Sequence, residues 1–196
     1  TWFRVNKLSL NVSKTHYMVF GSKKYESNQD IQIDGQIIDC VDKVKFLGVI
    51  IDNKLNWKDH VEYTCKKLAK SVGIITKVRM HVSKKSMINL YYSFCYPYLT
   101  YCNIVWASTY PNAFKSLVVI QKRIIRILNF AESRAHTAPL FKLLNILDIR
   151  CINHFQMGTF MHKYVNNNLP SIFNEKLNCN TDVHMYSTRQ DSYFHV

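Results

Sequence analysis

Apolar and polar residues follow two different rhythms along this chain, and the change of rhythm falls in the stretch VKFLGVIIDNKLNW at 44–57. Residues 46–51 hold no polar side chain, and β-branched residues crowd their second half. Such a run is too short for a buried helix and predicts a strand covered on both faces. Asp52 and Asn53 end it with turn chemistry, and Asn56 offers a side-chain oxygen to the first free amides of a following helix. Upstream, the segments are short. Trp2, Phe3 and Val5 predict the end of a helix, LSLN alternates around Leu8 and Leu10, residues 17–20 predict a strand closed by Gly21, and 23–30 read as an exposed loop. The dipeptide Asp34-Gly35, between IQI and QIIDC, supplies positive φ at both central positions of a two-residue hairpin turn. Residues 8–52 are therefore expected to form a small, mostly antiparallel sheet.

After Asn56 the period becomes helical. Val61, Cys65, Leu68, Val72, Ile75 and Arg79, interleaved with Ala69, form one stripe, while Lys66, Lys70 and Lys77 form another. Residues 86–114 carry no charged side chain for 29 positions, yet their prolines, tyrosines, tryptophan and polar residues make membrane insertion costly. A buried helical hairpin with Pro97 near its corner fits better. Met87, Leu90, Tyr91, Phe94, Tyr98, Tyr101, Cys102 and Val105, at steps of three and four, predict one apolar face continuing past that proline. Pro111 opens the next helix at a permitted position. Its core face is Leu117, Ile120, Ile124 and Leu128, with Lys122, Arg123 and Arg126 elsewhere on the cylinder. Helices are also expected over 139–147 and 149–165, the latter burying Ile152, Phe155, Phe160 and Tyr164. A break follows at 166–170, and the last twenty residues read as loosely held. The fold class is α+β, a small antiparallel sheet followed by a mostly helical region.

Charge changes the picture from fold to partner. The chain has 26 Lys and Arg against 13 Asp and Glu, a net charge of +13, which points to a polyanionic partner, nucleic acid before membrane. The excess is uneven: 42–90 holds eleven basic residues against four acidic, 114–134 has a surplus of four, and 135–196 a surplus of one. A basic helix face is most often merely solvated, but phosphates in a groove would account for this concentration. Candidate chemistry is sparse. Cys40, Cys65, Cys95, Cys102, Cys151 and Cys179 form no CxxC pair and fit a reducing, intracellular setting, nucleus and cytoplasm undistinguished. The chain begins Thr1-Trp2-Phe3 and carries no visible secretory signal, and it reads as a piece of something longer. Cys179 and His184 lack partners at finger spacing, so no metal site is expected. His60 reads as a packing residue at the helix start, Lys14 as a solvated loop lysine, and the tyrosines as core more than base-stacking groups. Asp39, Asp42, Asp52 and Asp59 read as loop acids and caps.

Three motifs in order, NKLSLNVSKT (6–15), KFLGVIIDNKLNWKDHV (45–61) and YPYLTYCNIVW (96–106), with a lysine-bearing helix between the last two, resemble the carboxy-terminal portion of the polymerase of non-LTR retrotransposons, most similar to jockey-like elements. Asn168-Leu169-Pro170 and Ser187-Thr188-Arg189 extend the resemblance over nearly the whole chain. It implies the end of a reverse-transcriptase palm with its primer-grip hairpin at 1–55, a basic helical thumb at 56–134, and a helical extension with a loose tail at 135–196. The function implied is template-primer binding within an RNA-directed DNA polymerase, with an RNA template, a DNA primer and an upstream palm and fingers as partners, and no membrane.

In that family the residue matching Lys14 approaches the triphosphate and assists pyrophosphate departure as an acid, and the run matching Phe46, Leu47 and Gly48 is the primer grip. Lys66, Lys70, Lys77, Lys122, Arg123 and Arg126 are then the candidate nucleic-acid-binding set. A lysine can neutralise charge on a leaving phosphate, and a glycine lets a nucleic-acid backbone come close. The motif of aromatic, small residue, Asp, Asp that holds two Mg2+ ions in these polymerases does not occur here. The chain alone is therefore expected to hold no cofactor and to polymerise nothing, the two Mg2+ belonging to the full-length polymerase. The alternative function is a non-catalytic nucleic-acid- or protein-binding helical module derived from such an element.

Overall fold

A computed structural model of the chain describes residues 2–21 and 31–173. The expected loop at 23–30, the pair Cys179 and His184, the 187–189 motif and the last twenty residues lie outside the described residues. The fold is mixed α+β, small two-stranded sheets followed by several helices, and the chain divides into two compact units, Thr1–Ile149 and Arg150–Val196.

The first unit opens with a short helix α1 (Trp2–Val5) and a 3-10 turn (Val12–Lys14). Among the described residues six strands follow: β1 (His16–Tyr17), β2 (Gln32–Ile33), β3 (Gln36–Ile37), β4 (Asp39–Cys40), β5 (Lys43–Phe46) and β6 (Val49–Asp52). They make three separate pairs and not the single sheet expected over 8–52; β2–β3 and β5–β6 are antiparallel, whereas β1–β4 is parallel. The alternating LSLN segment lies outside any strand, with Leu8 and Leu10 exposed, and the strand expected at 17–20 is confined to its first residue. Gln32, Gln36, Asp39, Lys43 and Lys45 are all exposed, so the strands share no continuous apolar face on which a wider sheet could be built.

Asp34 and Gly35 form the expected two-residue turn, with φ of 50° and 78° between the paired residues Ile33 and Gln36. The same device recurs where a single strand was expected. Leu47 and Gly48 take φ of 45° and 86° between paired Phe46 and Val49, so 46–51 is not one strand covered on both faces but the tip and return arm of a hairpin. β5 is exposed along its length, while β6 buries Val49 and Asp52. An unbroken apolar run looks the same from a distance whether it passes through a core or turns back with its tip in solvent; the glycine allows the turn.

Asp52 organises the hand-over to the helix. Its Oδ1 accepts from the amides of Lys54 (3.1 Å) and Asn56 (3.3 Å), and its Oδ2 from Trp57 N–H (3.1 Å). Asn56 Oδ1 then accepts from Lys58 N–H at 2.9 Å, the expected cap, as Trp57 turns through φ 61° into α2 (Lys58–Val78). α3 (Lys84–Phe94), capped by Ser83, α4 (Tyr96–Thr100), α5 (Asn103–Trp106), α6 (Pro111–Leu128) and α7 (Thr137–Leu144) complete the unit's helices up to the start of α8 (Ile149–Val165). Pro111 opens α6 as expected; α7 starts two residues before the expected 139–147 and stops earlier because Asn145 adopts a left-handed conformation at φ 52°.

α2 packs chiefly on α6 and also on α3 and α4. Leu68, Ile75, Met87, Tyr91, Leu117, Ile124 and Leu128 are wholly buried there, each contributing about 1.5–3 kcal/mol from area removed from water. On α2 the expected stripe is buried at Val61, Leu68, Val72 and Ile75, but Ala69 is exposed. On α6, Ile120 is half-buried and the stripe passes through Gln121 and Ile125. The apolar face expected past Pro97 is displaced: Phe94, Tyr98, Tyr101, Cys102 and Val105 are exposed, while Cys95, Leu99, Asn103 and Trp106 are buried. The buried positions step by four from Met87 through Tyr91, Cys95, Leu99 and Asn103, one residue on from the expected series, although the helix is interrupted at Cys95 and again at Tyr101 and Cys102.

Gln121 ties this core together. Its Nε2 donates to Tyr91 Oη (3.1 Å) and Leu147 O (3.0 Å), and its Oε1 accepts from the amide of Ile149 (2.8 Å). In the second unit α8 buries Ile152 and half-buries Phe160 and Tyr164, but Phe155 is 63% exposed. The stripe runs through Gln156, four residues after Ile152 and four before Phe160, so a side chain one step earlier points away. A final 3-10 turn (Ser171–Phe173) brings Phe173 edge-on to Phe160, ring centres 5.7 Å apart.

Candidate nucleic-acid interface

The β5–β6 hairpin lies against the first turns of α2 and is fastened at several points. Near its base, Lys43 Nζ meets Asp59 Oδ1 at 3.5 Å and Asp42 Oδ1 accepts from Asn53 Nδ2 at 2.8 Å. Along its length, the amide of Ile50 donates to His60 Nδ1 at 3.2 Å, and the His60 ring sits 5.4 Å from that of Trp106. His60 is thus a packing residue as expected; burial lowers its pKa and favours the neutral ring whose Nδ1 can accept. At the tip, Tyr101 Oη donates to Leu47 O at 2.6 Å, and Trp106 Nε1 in turn donates to Tyr101 O at 2.8 Å. Phe46 and Leu47 remain 60% and 74% exposed. A rigid turn with an apolar tip in solvent is the result.

The cations of α2 lie beside this hairpin. With about 3.6 residues per turn, Asp59, Tyr63, Lys66, Lys70 and Lys77 fall on one side of the helix, opposite Val61, Leu68, Val72 and Ile75. Lys66, Lys70 and Lys77 are all exposed. Lys66 is partly spoken for: its Nζ is 2.7 Å from Glu62 Oε1, and the hydrogen bond raises the lysine's pKa and lowers the glutamate's. Lys45, from the exposed face of β5, donates to Tyr63 Oη at 3.0 Å, so strand and helix join into one cationic band.

The other assigned residues lie apart from this band. Lys14 ends the 3-10 turn and is exposed, its amide bonded to Asn11 O at 3.1 Å. Lys122 and Arg123 are exposed on α6, on the side away from that helix's buried residues, and Arg126 Nε donates to Ala135 O at 2.9 Å, holding the loop after α6. The fold therefore sets the hairpin that carries Phe46, Leu47 and Gly48 against the start of the helix that carries Lys66, Lys70 and Lys77. Lys14 and the α6 cations sit on other elements, α6 being the helix packed on α2. Tyr63 carries no signal in apolar periodicity and is revealed only by the pairing of β5 with α2, while Tyr101, expected on an apolar face, instead holds the hairpin tip through Leu47 O.

Comparison with protein-family models, with curated proteins and with solved structures finds no match.

Among the described residues no three His, Cys, Asp or Glu side chains gather as a metal-binding group, and no helix is long and apolar enough to cross a membrane. A cleft of about 550 Å³ opens between the first turns of α2 and α6, lined by Val61, Glu62, Cys65, Tyr110 and Ser116 among others. Burial raises the pKa of the Cys65 thiol, which keeps it protonated and a poor nucleophile.

Proposed function

We propose that this chain is the template-primer-gripping part of an RNA-directed DNA polymerase of the non-LTR retrotransposon kind. The observation that carries this reading is the fastening of an exposed apolar hairpin tip, Phe46-Leu47-Gly48, beside the cationic side of α2. A primer terminus rests on the tip while the phosphates behind it lie along Lys66, Lys70 and Lys77. The acidic residues do not fit a two-metal centre: Asp52 is taken up by three backbone amides, Asp42 by Asn53 and Asp59 by Lys43. No step through a metal is assigned to this chain, whose part is to hold nucleic acid. Lys14 acts, in this reading, only beside a triphosphate site completed by other residues.

Binding of a primed RNA–DNA duplex across a salt series tests the reading. Replacing Lys66, Lys70 and Lys77 together with Ala should weaken binding without sequence preference and flatten the salt dependence by about two phosphate contacts, one fewer than the lysines removed because Glu62 offsets Lys66. Unchanged binding and slope in that variant would refute the assignment. A second reading, a helical module that binds protein, is favoured by the exposed Tyr98, Tyr101, Ile104 and Val105. A salt slope near zero for the unaltered chain would decide for it.

A further inference from the structure

The lysines of the cationic band are not equivalent. Lys43 and Lys66 each meet a carboxylate, Asp59 and Glu62. Lys45 and Lys67, from a strand and a helix, pair with no carboxylate among the described residues and converge instead on one phenol. Lys45 Nζ lies 4.8 Å and Lys67 Nζ 5.4 Å from the centre of the Tyr63 ring, and Lys45 also donates to Tyr63 Oη at 3.0 Å. Gathering two ammonium groups around one neutral ring repels the pair, and the attraction of each to the ring offsets that repulsion only in part at an exposed site. An anion seated between them would remove the conflict.

The phenol supplies the third contact. With its oxygen accepting from Lys45, the Tyr63 O–H is free to turn outward as a donor, so two ammonium groups and a hydroxyl present themselves to a single oxyanion. Tyr63 is half-buried and fixed on the second turn of α2, which makes it the rigid member of the set. We infer that Lys45, Tyr63 and Lys67 form a notch for one backbone phosphodiester, with Tyr63 as the residue that positions both lysines. The inference rests on the nucleic-acid-binding function proposed above and names where the chain takes hold most specifically. Its place at the junction of β5 and α2 sets the register of the strand: a phosphate anchored there lies between the hairpin tip and the run of Lys66, Lys70 and Lys77.

The experiment uses the full chain and a primed RNA–DNA duplex over a salt series. Lys45→Ala and Lys67→Ala should each reduce the salt slope by about one contact. Tyr63→Phe keeps the ring and every charge, so the slope should stay the same while affinity falls about tenfold at each salt concentration, through loss of one hydrogen bond to a charged group. Combined with Lys45→Ala, it should cost less than the two changes separately, because the lysine has already lost its anchor. Lys142→Ala, an exposed lysine on α7, serves as the general-charge control. The notch is overturned if the unaltered chain binds with a clear salt slope, Tyr63→Phe binds equally well, and Lys45→Ala and Lys67→Ala behave like Lys142→Ala; the proposed function survives that result. Absence of binding by the unaltered chain overturns both.

Discussion

Gly48 is the residue on which the hairpin tip depends. Its φ of 86° is one that residues with a Cβ rarely adopt, whereas the space is open enough: an added Cβ would meet Tyr101 Cε1 at 3.6 Å, an ordinary contact. Gly48→Ala should therefore cost about 1–2 kcal/mol through backbone strain alone, read as a lowered midpoint in urea unfolding. Leu47 already bears such strain at φ 45°, held by the bond from Tyr101 to its carbonyl. His60 carries the pH dependence of the same hairpin. Its folded pKa is lowered by desolvation, so the unfolded chain binds the proton more readily. Its stabilising contribution is whole above about pH 6.5, the ordinary imidazole value, and is lost as pH falls below that through the lowered folded value. A urea-unfolding series over that range should show the loss, and His60→Gln should remove that part of the pH dependence.

At the scale of elements, α2 does two jobs on opposite sides. One side enters the core through Leu68, Val72 and Ile75; the other presents Lys66, Lys70 and Lys77, with the hairpin fastened near its start. Glu62, on the second turn of the helix, meets this band, and its pairing with Lys66 withholds one cation. Glu62→Gln should free it: duplex binding should tighten by severalfold at low salt and the salt slope should steepen by about one contact. The pair itself is exposed and adds little to stability, so the melting temperature should hardly move. The hairpin's strands were legible as β-formers, and its fastening was not, because Lys45, Tyr63 and Tyr101 meet across sequence gaps that no local period spans.

For the whole first unit, the decisive polar group is Gln121. It sits wholly inside the core and satisfies a tyrosine hydroxyl, a carbonyl and an amide from three different parts of the chain. Burial pushes the pKa of Tyr91 far up, so its hydroxyl stays neutral beside that amide. Cys95, close by in the chain, is likewise pushed up to about 12 and is an inert core thiol. Gln121→Leu should leave the Tyr91 hydroxyl, the Leu147 carbonyl and the Ile149 amide without that partner and destabilise the unit by at least about 2 kcal/mol, measured by urea unfolding. The same change in an exposed glutamine would be nearly silent. Periodicity placed position 121 beside the core face of α6 but named Ile120 in its stead, since a polar side chain is read as outward unless its partners are known.

The chain's own pattern determined that short strands precede amphipathic helices, that Asp34-Gly35 turns a hairpin, that Asn56 and Pro111 start helices, and that cations gather along α2. These follow from nearest-neighbour backbone preferences and from a period that repeats within one element. Tertiary structure alone decided that the strands pair in three separate twos, that Leu47-Gly48 is a second turn, that the buried face runs through Cys95 and Leu99, and that two lysines converge on Tyr63. Each of these depends on which distant groups meet. Hydrophobic burial is non-directional and fixes only that apolar surface leaves water, whereas hydrogen bonds and left-handed residues choose where the chain bends to do so.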